Sequence, residues 1–277
     1  MDKRLPLKDT FTEAIYFTCQ HYRLLPKVGF PIIIFGLISL IAHSFFPDIY
    51  QHFSAIFEHS ESSVSDGEFS FPWGRLFLNF AYYSVFWIAV AMSVIRCHRL
   101  FVLGEQAISD SSVISWTGNE FTFIGWWIRI MVSSLLIFIP FFILIYNNTS
   151  IYQETPDNEA LEFVANGLFE LPFLYLISRW SLVLPASAVD QHGKSLTWSW
   201  NLSRGNGWRL TLLVGLLPYT TDKLFDLYPL DDSFLINLLR GLIWLVIGVV
   251  QVCLLSLCYR YFVDQETERK SALESEE

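Results

Sequence analysis

The chain has 277 residues, 53% of them hydrophobic and 17% aromatic, with only 16% charged and a formal net charge of -9. A soluble domain of this length carries roughly a quarter charged residues, so the composition excludes an ordinary soluble domain and points to a membrane protein. In such a protein the side on which each charge lies matters more than the sum. In chain order, mixed residues up to Lys27 precede the first apolar run, and no small-residue cleavage site comes after it, so that run is expected to be retained and not removed as a signal. Within this opening stretch, Phe11, Ala14, Ile15, Cys19, Tyr22 and Leu25 follow helical spacing with Glu13, Gln20 and Arg23 on other faces, which predicts an interfacial helix. Candidate spans lie at 28–46, 76–95, 124–146, 161–184, 209–228 and 235–262, each near the roughly 20 residues that a bilayer core requires. The fifth is interrupted by Pro218, Asp222, Lys223 and Asp226, and is predicted to be short or kinked.

The cations decide whether the fifth segment crosses. With six spans and both termini in the cytoplasm, fifteen of eighteen cations fall on or beside that side: Lys3, Arg4, Lys8, Arg23, Lys27, Arg96, Arg99, Arg129, Arg179, Lys194, Arg204, Arg209, Arg260, Arg269 and Lys270. Only Arg75, Lys223 and Arg240 lie outward. Removing the fifth span would put Arg260, Arg269 and Lys270 on the far side, which the positive-inside rule disfavours. The outer connections, 47–74 and 147–160, are acidic and Ser-rich and lack Lys and Arg up to residue 74 and across the second. The second holds the sequon Asn147-Asn148-Thr149. None of Cys19, Cys97, Cys253 and Cys258 lies in these connections, so no disulfide framework is expected.

An internal repeat is visible at the span ends. Arg96, Arg179 and Arg260 close the even-numbered spans at separations of 83 and 81 residues. Ser112 pairs with Ser195, Trp116 with Trp198, Gly125 with Gly207 and Trp126 with Trp208 at offsets of 82 or 83. The expected fold is therefore an all-α integral membrane protein of six transmembrane helices, arranged as three related hairpins, each preceded by a cytoplasmic interfacial helix. Residues 1–277 form one membrane domain, with repeat units 8–103, 110–186 and 193–264 and a disordered acidic cytoplasmic tail at 265–277.

Two sets of residues are candidates for function. Glu170 lies nine residues before Arg179, about 13 Å deeper along its helix, and Gln251 holds the same place before Arg260. An ionisable group at that depth must face protein or water, so Glu170 is either part of a polar cavity or a structural acid, protonated or paired with Arg240. The second set is the cytoplasmic rim, Arg96, Arg179, Arg209, Arg260, Trp198 and Trp208, where arginines attract anionic headgroups or anchor the topology and tryptophans form an interfacial belt. Cys97-His98, and His52 and His59 with Glu58 and Glu61, lack the spacing of a metal site. No phosphate loop, nucleophile elbow or zinc-protease motif is present, no cofactor is implied, and the basic loop lacks the charge density of a nucleic-acid surface.

The stretch RWSLVLPASAVDQHGKSLTWSWNLSRGNGWRL resembles the YciC-type family of polytopic bacterial membrane proteins, which is related to the membrane domain fused to some glycerophosphodiester phosphodiesterases. The residues that carry the resemblance are Arg179, Pro185, Asp190, Ser199, Leu202, Ser203, Gly205, Trp208, Arg209 and Leu210. It implies a multi-pass protein of the bacterial inner membrane and no catalytic residue, because the fused barrel and its metal ligands are missing. The first functional reading is a non-enzymatic protein of envelope or lipid homeostasis whose partners are membrane lipids, another protein or a second copy of itself. The alternative is a small transporter or channel built around Glu170 and Gln251.

Overall fold

The computed structural model describes residues 4–45, 73–109, 118–148, 159–191, 193–226 and 234–275. Most of the two acidic connections, including the histidines at 52 and 59 and the Thr of the sequon, lies outside the described residues, as do the Ser and Trp at 112 and 116. Every regular element among the described residues is helical. The first part of the chain forms α1 (Leu7–Gln20), α2 (Leu25–Val28), α3 (Phe30–Phe45), α4 (Trp73–Leu103) and α5 (Gln106–Ser109). The middle forms α6 (Gly118–Asn148), α7 (Glu159–Trp180) and α8 (Val183–Ala188). The last part forms α9 (Leu196–Leu202), α10 (Gly207–Leu210), a π-helical turn (Thr211–Leu216), α11 (Leu217–Asp226) and α12 (Phe234–Glu274).

Four stretches are long and apolar enough to cross a membrane: Phe80–Leu103, Glu120–Pro140, Glu170–Ala188 and Leu238–Glu274. They mark the chain as a membrane protein, and they stand where the second, third, fourth and sixth spans are predicted. At the predicted first span, α3 has 16 residues, about 24 Å of helix, which is short of a roughly 30 Å core. At the predicted fifth, α10, the π turn and α11 run on without a break from Gly207 to Asp226. The wide turn comes just before Pro218, whose ring has no N–H to donate and would crowd the carbonyl of Val214 in a regular ladder.

Packing is concentrated at one end of the helices. α4 packs on α3, α6 and α12, α7 packs on α6 and on the π turn, and α8 is inserted among α4, α6 and α12. All six residues of α8 are buried, and its neighbours Ile95, Leu100, Phe101, Cys253, Leu254 and Phe262 complete the core. The end of α8 is closed by the paired backbone bonds Gln191 N–H to Ala186 O and Asp190 N–H to Ser187 O, with Asp190 left-handed at φ 62°. Glycine usually fills that position. Here the carboxylate is used, because Arg99 of α4 donates to the Ala188 carbonyl at 2.7 Å and pairs with Asp190 at 3.2 Å.

One expectation changes, and one face is defined more closely. Of the residues at helical spacing in α1, Ala14 is buried together with Thr10 and Thr18, whereas Phe11 and Ile15 are exposed. Small residues four apart let α1 lie close against α12, and the large side chains turn outward, as they do where lipid is the solvent. The segment beyond residue 264, expected to be disordered, continues α12 as far as Glu274, helped by a Glu266–Lys270 pair of 2.9 Å at the favourable i, i+4 spacing. At 41 residues α12 is about 60 Å long, roughly twice the thickness of a hydrocarbon core.

Candidate anion-binding site

The RWSLVLPASAVDQHGKSLTWSWNLSRGNGWRL stretch folds back on itself so that its second half covers the end of α7. Arg179, in the last turn of α7, is 6% exposed and donates from Nε to Ser203 Oγ at 2.9 Å, from Nη1 to Tyr175 Oη at 3.1 Å and from Nη2 to the Trp200 carbonyl. Its guanidinium also lies over the Trp200 ring, 3.6 Å from the centroid. Ser199 Oγ in turn donates to the Arg179 carbonyl, so one residue is held from both its side chain and its backbone. α9 is positioned for this by its N-cap, where Ser195 Oγ accepts from Trp198 N–H at 3.1 Å. Among the described residues, every hydrogen-bond partner of the Arg179 side chain is neutral.

Two glycines shape the chain between α9 and α10. Gly205 turns it with φ +80°, a conformation an L side chain rarely adopts. Gly207 permits close approach, since a Cβ there would stand 2.7 Å from Tyr175 Oη. Beyond the turn, Asn206 Oδ1 accepts from Leu5 N–H at 2.8 Å and Arg209 Nη1 donates to the Leu5 carbonyl at 2.6 Å. This two-point clasp docks the N-terminal segment on the motif and buries Leu5 completely. It also carries Arg4 to the same place.

The result is a cavity of about 650 Å³ lined by Arg4, Arg179, Arg204, Arg209, Trp200 and Trp208, with Tyr175, Asn201 and the two glycines completing it. Among the described residues no acidic one lines it. Arg179 and Arg209 are fixed by the hydrogen bonds above, whereas the Arg4 and Arg204 side chains make none among the described residues. Trp208 is 61% exposed at the rim and packs on Tyr175 with centroids 4.9 Å apart. Four guanidinium groups around a partly enclosed space, with no acid among the described residues, favour an anion, because arginine presents paired N–H donors that fit carboxylate and phosphate oxygens.

Of the rim residues marked by sequence, Arg179, Arg209 and Trp208 come together here, and Arg96, Arg260 and Trp198 do not. Arg96 is buried on α4, where Glu120 of α6, also buried, is the acid whose charge acts on it. Arg260 is exposed and reaches the Phe101 carbonyl only at 3.5 Å. Trp198 lies under Lys194, 4.5 Å from its ring, and against Tyr259. Sequence reasoning missed Arg4, Arg204, Trp200 and Tyr175. Tyr175 is signalled by its place one turn before Arg179 on the same helix face; the arrival of Arg4 depends on a contact across 201 residues of chain.

The intramembrane candidates meet on a different element. Gln251 of α12 approaches Thr221 Oγ1 of α11 at 3.5 Å, and the cation acting on Glu170 is Lys223 of α11, in place of the Arg240 considered from sequence. Arg240 makes no hydrogen bond or ion pair among the described residues. Lys223 also lies 5.9 Å from the Tyr219 ring. At Cys97-His98 both side chains are buried, His98 Nδ1 is 2.8 Å from Ser256 Oγ, and among the described residues no three His, Cys, Asp or Glu are grouped to hold a metal ion. No family model matches the chain, and neither curated proteins nor solved structures show a match.

Proposed function

We propose that the chain is a non-enzymatic, multi-pass protein of a bacterial inner membrane that holds an anionic lipid headgroup, or the same phosphate chemistry in soluble form, in the Arg179 cavity. The observation that carries the reading is a cavity lined by four arginines and, among the described residues, no acid, with two of the arginines pre-set by hydrogen bonds and two free to close on a ligand. Six spans with both termini in the cytoplasm would put this cavity at the inner headgroup level, as the positive-inside rule favours. Three related hairpins, and the resemblance to YciC-type proteins borne by the same motif, agree with that orientation. Binding is tested in nanodiscs by mass spectrometry of lipid retained through delipidation. Acidic lipid should be retained over phosphatidylcholine, and Arg204→Ala, which removes a free cation, should weaken retention about fivefold, since each cation near such a surface contributes about 1 kcal/mol. Retention independent of headgroup charge would reject the proposal.

A second reading, a small transporter, is favoured by the polar groups Glu170, Lys223, Thr221 and Gln251 that meet along α11. It requires water along that seam. Cysteines placed at Thr221 and Gln251, in a chain lacking Cys19, should then react with a membrane-impermeant thiol reagent, and silence at both positions would reject it.

A further inference from the structure

The chain carries a second arginine built like Arg179, and its partner shows what is absent from the first. Arg96 precedes Glu120 by 24 residues, and Arg179 precedes Ser203 by the same 24. The residues around the two partners match one position out of step, with Gly125 and Trp126 five and six residues after Glu120, and Gly207 and Trp208 four and five residues after Ser203. Arg96 and Glu120 are 7% and 5% exposed, and Glu120 is the acid whose charge acts on Arg96. Arg179 is 6% exposed, yet Ser203 offers it only a hydroxyl. Its other two partners, the Tyr175 hydroxyl and the Trp200 carbonyl, are neutral as well. These three bonds use three of the five N–H groups of a guanidinium, and the side chain lines the cavity. A buried guanidinium without a counter-charge is costly.

We propose that Ser203 sets the anion selectivity of the cavity: a phosphate group from outside takes, beside Arg179, the place that the Glu120 carboxylate takes beside Arg96. Phosphate fits better than carboxylate because Arg4, Arg204 and Arg209 share the cavity, a greater positive charge than one carboxylate matches. At two of these positions the other copy carries no cation. Thr122 stands where the second copy has Arg204, and Trp127 where it has Arg209, at the offset of 82. This inference rests on the reading of the cavity as an anion site.

The test uses the full chain in nanodiscs and two probes: phosphatidic acid, scored by retention against phosphatidylcholine, and glycerol phosphate, titrated calorimetrically into zwitterionic discs. The wild type should take up one of them. Retention of phosphatidic acid assigns the source as a lipid headgroup, and saturable glycerol phosphate binding assigns a soluble ester; either supports the proposal. Ser203→Glu should reduce uptake at least about tenfold, because the new carboxylate occupies the site and repels a second anion. It should also raise Tm in zwitterionic discs and abolish the rise in Tm that the ligand gives the wild type. Ser203→Gln adds similar bulk without charge and should keep uptake within about threefold, a loss below 1 kcal/mol. Equal losses in the two variants, or unchanged uptake in Ser203→Glu, would overturn the role of Ser203 while leaving the anion site standing. Failure of the wild type to take up either probe would overturn the anion site itself. If Ser203→Glu does not fold, Arg204→Glu delivers the same charge from an exposed position, and unchanged uptake there overturns the proposal.

Discussion

Along α4, Ala89, Ala91, Met92, Ile95, Cys97, Leu100 and Phe101 are buried, whereas Phe77 and Phe80 at the other end of the same helix are 71% and 72% exposed. α12 shows the same division, with Cys253 to Tyr259 buried and Leu242 to Trp244 exposed. The buried halves meet at the end that holds Arg179, Arg96, Arg99 and the docked N-terminal segment. In a bilayer, apolar side chains gain little by leaving lipid for protein, so packing and hydrogen bonds at that end carry the tertiary structure. The other end is apolar surface suited to acyl chains.

The largest expected contrast comes from truncating one leucine in each half. Leu254→Ala should cost about 3 kcal/mol as a buried cavity, and Leu136→Ala, on the 66% exposed side of α6, less than about 0.5 kcal/mol, both read from unfolding in mixed micelles. Equal effects would break the comparison. Next in size, Gly207→Ala pushes a methyl group into the Tyr175 hydroxyl and should cost about 1–2 kcal/mol while lowering headgroup retention. Asn206→Ala removes the acceptor for Leu5 N–H, an expected loss of about 1 kcal/mol, and should speed proteolysis of the first six residues at fixed protease. The smallest effect belongs to the seam: Gln251→Leu should change stability by about 0.6 kcal/mol or less, since polar contacts within membranes are modest.

Hydropathy made the helical class and four of the spans legible, because length and apolar run are properties of a single segment. It was less informative where a helix meets two solvents. In α1 Phe11 and Ile15 face outward while Thr10, Ala14 and Thr18 pack; a sequence pattern alone does not say which neutral face touches protein and which touches lipid. For the site, Arg179, Trp208 and Arg209 were legible as a cluster because they lie in one motif. Arg4 was not, since only the clasp by Asn206 and Arg209 brings it there. The separation of structural from available arginines was equally hidden: Arg96 and Arg179 end similar spans, and the difference between them lies 24 residues downstream, in Glu120 and Ser203.

The wide turn at Thr211–Leu216 has a consequence for rotation about the helix axis. A turn that takes in one extra residue sets everything after it back by roughly 100° relative to a regular α-helix of the same sequence. In α11 that offset decides whether Thr221 and Lys223 look toward Gln251 and Glu170 or toward the hydrocarbon. Deleting a single residue from this turn would therefore leave a regular α-helix whose polar side still faces its neighbours, whereas winding the same residues as a regular helix would swing that side away.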